Sequence, residues 1–259
     1  MRSVNAVLTI AYRDFIKLTR DRARIIATFI FPVIFIGVLG TSLQANLGAQ
    51  AGYNLLLFTF TGVLGQTLFQ STSSGVISLV EDRENDFSQE LFVSPVSRYA
   101  IIIGKILGET SVALIQVVAI IIFGYIMRID ISLIRILSLF PFAVLVCFMA
   151  GAFGVLVLSR LNSQRAVNQV FPFIILPHFF LAGVFSPIKD LPPYLLILSR
   201  LAPMTYAVDL LRSIYYAGTP DYSKVVLFPW YVDTFIVSTL FLVFLFFGTF
   251  LFIQNERNR

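Results

Sequence analysis

The only histidine and the only cysteine of the sequence are its obvious candidates for nucleophilic or metal chemistry. His178 lies within an apolar stretch, where a lone histidine can relay protons but more often makes a hydrogen bond between packed helices. Cys147 also lies within an apolar stretch and has no second cysteine to pair with, which excludes a disulfide framework. We therefore predict neither a catalytic site nor a metal site in this chain.

The pair Gly104-Lys105 has the form of the end of a phosphate-binding loop. That motif requires a glycine five positions before the second glycine, and a serine or threonine directly after the lysine. In this sequence those two positions hold Tyr99 and Ile106. We therefore predict that the chain is not an enzyme and that it binds neither ATP nor another cofactor by itself.

The densest cluster of charge is the segment Glu81–Lys105, which reads EDRENDFSQELFVSPVSRYAIIIGK. Its acidic residues alternate with large apolar ones, a pattern that favours a short amphipathic helix. Pro95 ends this helix because the residue before a proline resists helical conformation, and Ser97 is well placed to cap a second helix. Such a segment either docks a partner or is a solvated loop.

The elements around this segment are apolar, and the composition requires lipid as their solvent. The 259 residues are 58% hydrophobic and 13% charged, with a mean hydropathy of +0.87, whereas soluble domains carry roughly 25% charged residues. A soluble core cannot enclose this much apolar surface, so we predict an all-α polytopic membrane protein. The net charge of +5 then reflects basic residues retained beside the membrane, and we expect no nucleic-acid partner.

Six apolar stretches approach the roughly 20 residues that a transmembrane helix needs, and they form one domain over residues 1–259. Residues 1–24 place apolar side chains three and four apart among basic ones, which is typical of an amphipathic helix at the membrane interface. A cleaved signal peptide is the less favoured alternative for this region. The predicted spans are Ile25–Leu43, Tyr53–Val80, Ile106–Met127, Ile136–Leu158, Val167–Phe185 and Tyr231–Ile253.

The distribution of basic residues orients these spans. With six spans, both termini and the loops after the second and fourth spans lie on one side of the membrane. That side carries 13 of the 19 Lys and Arg residues, and the other side carries six. Because basic loops are retained in the cytoplasm, we predict a multi-pass protein of the cell membrane with both termini cytoplasmic. The segment Glu81–Lys105 is then cytoplasmic too.

The connection between the fifth and sixth spans, residues 186–230, is unusually apolar. It contains two pieces that are too short to cross a bilayer, Tyr194–Leu201 and Ala207–Ile214, which are punctuated by Pro187, Pro192, Pro193 and Pro203. We predict that these pieces are short re-entrant helices on the extracellular side. The alternative is an ordinary loop, which would rarely expose so many leucines to water.

The second span has a polar side, on which hydroxyl and amide side chains recur among glycines. These side chains either line a translocation path or bond across a close contact between helices. The sequence supports the two interpretations equally. The candidate lining residues are Thr59, Gln66, Gln70 and Ser73.

Two segments of the sequence resemble the type-2 ABC transporter permeases. In the charged segment, the Glu84-Asn85 pair is followed by Leu91–Arg98, which reads LFVSPVSR, and then by the Gly104-Lys105 pair. This order is similar to the glutamate-rich stretch, the LLVSPVSR run and the Gly-Lys pair of that family. Towards the carboxyl terminus, Phe180–Leu195 reads FLAGVFSPIKDLPPYL and Arg200–Arg212 reads RLAPMTYAVDLLR. Both resemble the signature of the same family.

The resemblance implies the membrane-spanning subunit of an exporter. Such a chain forms the translocation path, pairs with a second permease copy (a homodimer is favoured over a heterodimer), contacts membrane lipids, and binds cytoplasmic ABC ATPase subunits that hold ATP and Mg²⁺. The residues that the resemblance assigns to ATPase coupling are Glu81, Asp82, Arg83, Glu84, Leu91, Phe92 and Pro95. Those that it assigns to an extracellular gate are Pro187, Leu191, Pro203 and Tyr206.

Two functions of other classes stay open at this point. A secondary transporter driven by an ion gradient usually has internal repeats and acidic residues near the bilayer midplane, and neither is visible in the sequence. The other alternative is a membrane scaffold that recruits a cytoplasmic protein without transporting anything. Co-purification of an ATPase favours the exporter, whereas uptake driven by an ion gradient without such a partner favours the secondary transporter.

Overall fold

The structure is a computed structural model, and it describes residues 2–20, 26, 29–84, 97–161 and 163–257. These residues form helices joined by short turns, and no strand occurs among them. In chain order the helices are α1 (Arg2–Arg20), α2 (Phe29–Ala51), α3 (Leu55–Gly75), α4 (Ser78–Glu84), α5 (Arg98–Ile126), α6 (Leu133–Leu158), α7 (Gln164–Leu181), α8 (Pro193–Leu201), α9 (Pro203–Tyr215), α10 (Tyr222–Val225) and α11 (Trp230–Arg257).

Among the described residues, four helices are long and apolar enough to cross a membrane: α2, α5, α6 and α11. The pair α8 and α9, which is bent by 90°, makes a fifth candidate if it is counted as one broken span. The all-α membrane architecture is therefore confirmed. The count of six spans stays a prediction, because α3 is rich in hydroxyl and amide side chains and α7 contains Pro172, Pro177 and polar residues.

Several helix starts follow directly from local sequence. Asn54 accepts a hydrogen bond from Leu57 N (2.9 Å) and begins α3, since an N-cap side chain satisfies a backbone N–H that the first turn leaves without a partner. The predicted cap at Ser97 is confirmed, because its hydroxyl accepts from Ala100 N (3.2 Å) and begins α5. This start makes α5 a 29-residue helix that extends well beyond the predicted third span.

Helix α3 lies at the centre of the bundle and contacts α5, α6 and α9. Glycines allow this close approach, because small residues let two helix backbones come near each other. A Cβ atom added at Gly62 would lie 2.6 Å from Val184 O, and one added at Gly65 would lie 2.9 Å from Val208 Cα. The outward faces of α5, α6 and α11 are apolar instead, with exposed residues such as Ile122, Leu137 and Phe246.

Contacts gather the loops into two ends of the bundle. At the first, which we call the α1 end, α1 contacts the beginning of α5, and Asn255 Nδ2 in α11 donates to Ser159 O after α6 (3.1 Å). At the second, the hairpin end, α9 contacts both α8 and α11, and Lys224 Nζ donates to Gly52 O after α2 (2.6 Å). Each end joins loops that the basic-residue pattern assigned to one side of the membrane.

Candidate functional site

The α1 end is built from two helices that touch along a row of glycines. A Cβ atom at Gly104 of α5 would lie 3.0 Å from Val7 O, and one at Gly108 would lie 3.2 Å from Ala11 Cα. These two glycines are four residues apart and therefore lie on one face of α5. Helix α1 consequently rests directly on the α5 backbone.

A buried ion pair lies in the same contact. Lys105 Nζ donates to Asp14 Oδ1 at 3.0 Å, and the two side chains are 1% and 3% exposed. The pair ties α1 to α5 across a sequence separation of 91 residues. Removing one partner of a buried pair leaves the other charge without compensation, so such a pair strongly restricts how its two helices can separate.

Helix α1 also carries a second apolar stripe that no described part of the chain covers. Val4, Leu8 and Tyr12 follow each other at intervals of four residues and are 61%, 55% and 67% exposed. Val7, Ile10 and Ala11 face α5 instead. Of the predicted amphipathic helix in residues 1–24, the structure describes Arg2–Arg20, and these residues are helical. One apolar face packs on α5, and no described residue covers the other face. The location at the membrane interface stays a prediction.

The hairpin end is held by hydrogen bonds between α7, α8 and α9. Ser199 Oγ, in the last turns of α8, donates to Leu181 O at 2.6 Å, where α7 ends. Thr205 Oγ1, in the first turn of α9, donates to Ser199 O at 2.7 Å. Both side chains are completely buried. Because these bonds cross the bend, the angle between α8 and α9 is specified by side chains as well as by Pro203.

A buried carboxylate fastens α9 to the segment that leads into α11. Asp209 is 1% exposed, and its oxygens accept from Leu227 N (2.8 Å) and from Phe228 N (2.7 Å). The Asp233 carboxyl group, in the first turn of α11, adjoins that of Asp209. Hydrogen bonds to a charged acceptor are stronger than neutral ones, so this contact is a firm anchor.

One turn further along α9, Arg212 reaches into the centre of the bundle. Its guanidinium lies 3.8 Å from the centre of the Phe58 ring, and its Nη2 atom donates to Phe58 O at 3.3 Å. Arg212 is the largest fully buried side chain among those described. A cation over an aromatic face is stabilised by the ring quadrupole, and more strongly where water is excluded. Helix α9 is therefore bound to α3 through a charge.

Comparison with known proteins identifies the family of this chain. Residues 5–216 match the family described as ABC-2 type transporter. The match extends from α1 to the end of α9, and it includes both the α1 end and the hairpin. The chain belongs to the ABC-2 type transporter family.

The relatives that resemble this ABC-2 chain are described as transport permeases. A protein described as the transport permease ycf38 of Cyanophora paradoxa is 26% identical over 220 residues, which are 82% of this chain and 74% of that protein. The ycf38 permease of Pyropia yezoensis is 25% identical over 235 residues, or 88% and 78% of the two chains. A protein of Escherichia coli K12 described as the multidrug ABC transporter permease YbhR is 30% identical over 141 residues, 54% of this chain and 38% of that one.

The resemblance found in the sequence is thus confirmed, and this ABC-2 chain is a membrane transport permease. The structure places only part of its predicted coupling residues. Glu81 begins the acidic part of the short helix α4, which contacts α7. The backbones of Asp82, Arg83 and Glu84 continue that helix. The remaining three coupling residues, Leu91, Phe92 and Pro95, lie outside the described residues.

The predicted gate residues lie where the hairpin joins the bundle. Pro187 and Pro203 are buried, whereas Leu191 and Tyr206 are half-buried. Tyr206 OH donates to Arg200 O at 2.6 Å and its ring stacks on Phe228. The two predicted short helices are confirmed as α8 and α9. Their re-entry into the bilayer stays a prediction, as do the roles of the four gate residues.

The predicted pathway residues on α3 point into the protein. Thr59, Gln66 and Ser73 are completely buried within this chain, and Gln70 is half-buried. Gln66 Nε2 donates to Gln70 Oε1 at 3.0 Å, one turn along the same helix. This bond lies within α3 and does not cross to another helix, so it decides neither of the two interpretations that the sequence left open. A role in lining the path stays a prediction.

His178 is likewise part of a packed contact. Its Nδ1 atom bonds to Ile174 O at 2.7 Å, and its ring lies 6.2 Å from that of Phe69 and 5.7 Å from that of Phe153. The imidazole therefore joins α7 to α3 and α6. The hydrogen bond of the imidazole lies within α7 itself, so the expected hydrogen bond between helices is not observed, and the ring joins the helices by packing alone.

Sequence reasoning missed the charged residues that organise the hairpin end. Asp209, Arg212 and Asp233 lie in apolar segments, and a charge in such a segment signals a function or a buried partner. Their partners could not be read from the sequence, because Asp209 bonds to backbone atoms 18 and 19 residues away and Arg212 to one 154 residues away.

Proposed function

We propose that this ABC-2 permease is the membrane-spanning subunit of an ABC exporter that couples to separate cytoplasmic ATPase subunits. The observation that carries the proposal is the α1 end, where a helix with an uncovered apolar stripe rests on α5 and is tied to it by the Lys105–Asp14 pair. In this proposal the chain crosses the cell membrane six times, and both termini and the α1 end are cytoplasmic.

Coupling requires a rigid connection between the docked ATPase and the spans. Helix α1 and the segment Glu81–Val93 together form the docking surface in our proposal, with Glu81, Glu84, Leu91 and Phe92 in contact with the ATPase. The glycine contact between α1 and α5 makes these two helices one lever. A push on α1 is then transmitted to a 29-residue helix that extends from the docking surface to the hairpin end.

The translocation path lies beside α7 in this proposal, and two copies of the chain enclose it. Helix α7 exposes a continuous stripe that is polar near its start, at Asn168 and Gln169, and apolar farther on, at Phe173, Leu176 and Phe180. A cleft of about 610 Å³ opens beside the polar part. This stripe is a stronger candidate for the path than the buried residues of α3, although Gln70 stays a candidate.

The hairpin acts as the extracellular gate in this proposal. Helix α9 is anchored inside the bundle, while α8 exposes Tyr194, Ile197 and Leu201. The exposed helix re-enters the outer leaflet, and Pro187, Leu191, Pro203 and Tyr206 set its angle. Two such hairpins, one from each copy of a homodimer, then close the path until ATP hydrolysis by the partner subunits changes the state of the pair.

The test is reconstitution of the permease with its ABC ATPase in proteoliposomes. We expect the complete complex to show ATP hydrolysis that rises with added cargo, and vanadate to abolish cargo transport. The double replacement of Leu91 and Phe92 by Ser should lower the cargo-stimulated ATP hydrolysis at least tenfold, because the docking surface loses its apolar contacts.

The matched control is Leu47→Ser, the same chemical change on an exposed residue of α2 at the opposite end. It should leave stimulated hydrolysis unchanged. Equal coupling in both variants would contradict the assignment of the docking surface. Failure of any ATPase to co-purify, together with uptake driven by an ion gradient, would replace the exporter by a secondary transporter, and failure of both would favour the scaffold.

A further inference from the structure

An apolar crevice opens on the side of the bundle between α5 and α6. It has a volume of about 180 Å³ and is lined only by apolar side chains. Leu64 of α3 and Leu211 of α9 form its floor. Val118 of α5 and Leu137 and Phe140 of α6 also line it, and these three are 56%, 65% and 59% exposed. The crevice therefore opens towards the lipid.

The crevice occupies the half of the bundle near the hairpin end. Its lining on α5 runs from Leu114 to Ile121, and α5 ends at Ile126. At about 1.5 Å per residue, the crevice reaches about 18 Å below that end. One leaflet of the hydrocarbon core is about 15 Å thick, half of the bilayer core of about 30 Å. A lipid chain of that leaflet therefore matches the crevice in depth.

Two tyrosines mark the rim of the crevice, of which Tyr125 is exposed and Tyr215 is buried behind it. Tyr125 stands one turn beyond the lining residue Ile121 on α5, and Tyr215 one turn beyond the lining residue Leu211 on α9. Tyrosines are enriched at the level of lipid headgroups, where one part of the ring is apolar and the hydroxyl is wet. The Tyr215 hydroxyl is held by Ser132 N at 3.2 Å, so this rim is fixed in position.

Two arginines stand at the same rim. Arg135 directly precedes the lining residue Ile136, and its guanidinium lies 6.0 Å from the centre of the Tyr215 ring. Arg128 follows the end of α5 and is exposed. Within the described part of the chain, neither arginine forms an ion pair. The exposed Asp130 of the same loop offsets one of the two positive charges, which leaves a net charge of one for an anionic partner.

We propose that this crevice is a binding site for a bilayer phospholipid, with one acyl chain between α5 and α6 and the phosphate on Arg135 and Arg128. The apolar lining matches the acyl chain, the tyrosines lie at the level of the headgroup, and the arginines match the phosphate. A guanidinium binds phosphate oxygens through two parallel N–H donors. A lipid without phosphate fills the crevice but leaves both arginines unpaired.

The test uses the purified full-length permease, with native mass spectrometry of the bound lipids after delipidation and titration. The probes are palmitoyl-oleoyl phosphatidylglycerol, diacylglycerol with the same two chains, and inorganic phosphate. We expect phosphatidylglycerol to bind at one site at least tenfold more tightly than diacylglycerol, since its phosphate accepts charge-assisted hydrogen bonds from the guanidinium groups. Millimolar inorganic phosphate should not displace the lipid.

Variants separate the two halves of the site. Arg135→Gln should weaken phosphatidylglycerol binding about tenfold and leave diacylglycerol binding unchanged, whereas Lys224→Gln, the loss of a cation elsewhere at the hairpin end, should change neither. Val118→Trp places a large side chain at the open side of the crevice and should weaken both lipids. Its control is Val243→Trp on the exposed face of α11.

Three results would overturn the proposal. Equal affinity for phosphatidylglycerol and diacylglycerol would show that the arginines do not bind the phosphate. An unchanged affinity of Arg135→Gln for phosphatidylglycerol would show the same. Equal lipid binding by Val118→Trp and Val243→Trp would show that the lipid does not occupy the crevice. Both tryptophan variants change residues on exposed faces, so the folded protein is retained and either outcome is informative.

Discussion

At the α1 end, a single helix rests on α5 through two glycines and a buried ion pair, and no described residue covers the stripe of Val4, Leu8 and Tyr12 on its other side. At the hairpin end, α9 is enclosed by α3, α6 and α11, and its Asp209 and Arg212 side chains bond to backbone atoms of other segments. The first arrangement holds one helix by one contact surface. The second joins several elements at once, so displacing α9 disrupts the whole bundle.

This difference has a mechanical meaning for a permease. A helix that receives force from a partner must move as a rigid body, so it should contact little besides the helix that it moves. A helix that closes a path should instead be fixed to the bundle by many contacts. The contacts of α1 and α9 divide in this way. We accordingly expect substitutions at the hairpin end to lower global stability, and substitutions at the α1 end to act locally and on coupling.

The largest effect should come from Asp209→Ala. The replacement leaves the N–H groups of Leu227 and Phe228 without their acceptor and Arg212 without its nearby acid, so we expect a loss of about 4 kcal/mol in the free energy of unfolding. Titration with SDS in mixed micelles measures this quantity. Asp209→Asn keeps one acceptor oxygen and should lose clearly less. Equal stability of the alanine variant and the original chain would show that α9 is not anchored there.

Asp14→Ala should have a smaller and more local effect. It removes the carboxylate that pairs with the buried Lys105 and should weaken the attachment of α1 by about 3 kcal/mol. Hydrogen exchange of the α1 backbone amides should accelerate, while the global unfolding midpoint should shift much less than in Asp209→Ala. Thr9→Ala, on the exposed side of α1, is the control. A global loss as large as that of the Asp209 variant would erase the proposed difference between the two ends.

Gly154→Ala tests the packing between α6 and α3 that both ends share. The added methyl group would clash with the backbone of Ser73 and with the side chain of Val76, so we expect a destabilisation of about 2 kcal/mol by overpacking. Gly48→Ala in α2 is the matched control, because its methyl group meets only the flexible side chain of Gln44. The control should be neutral or slightly stabilising, and a loss in both variants would point to a general intolerance of substitution.

The smallest change in stability should follow Leu8→Gln on the uncovered stripe of α1. An exposed position of this kind usually changes the free energy of unfolding by no more than about 0.5 kcal/mol. In the reconstituted complex, however, ATP hydrolysis stimulated by cargo should fall, because the stripe lies on the proposed docking surface. A stable variant with full coupling would assign the stripe to lipid alone.

Much of the architecture was predictable because it depends on local pattern. The apolar stretches, the cap at Ser97 and the prolines around the hairpin all act within a few residues, so the sequence reports them directly. The amphipathic helix α1 and the two short helices α8 and α9 were predicted for the same reason. The span count was harder, since a helix buried among other helices, such as α3, tolerates polar side chains that a lipid-facing helix does not.

The sequence by itself determined that this chain is an all-helical membrane protein of the ABC-2 family, because composition, periodicity and motif order are properties of the chain alone. Only the tertiary structure decided that Lys105 pairs with Asp14, that Asp209 binds backbone amides before α11, and that the polar residues of α3 face its neighbours. The first two contacts join residues 91 and 18 or 19 positions apart. They depend on which helices pack together, and no pattern within one helix encodes that choice.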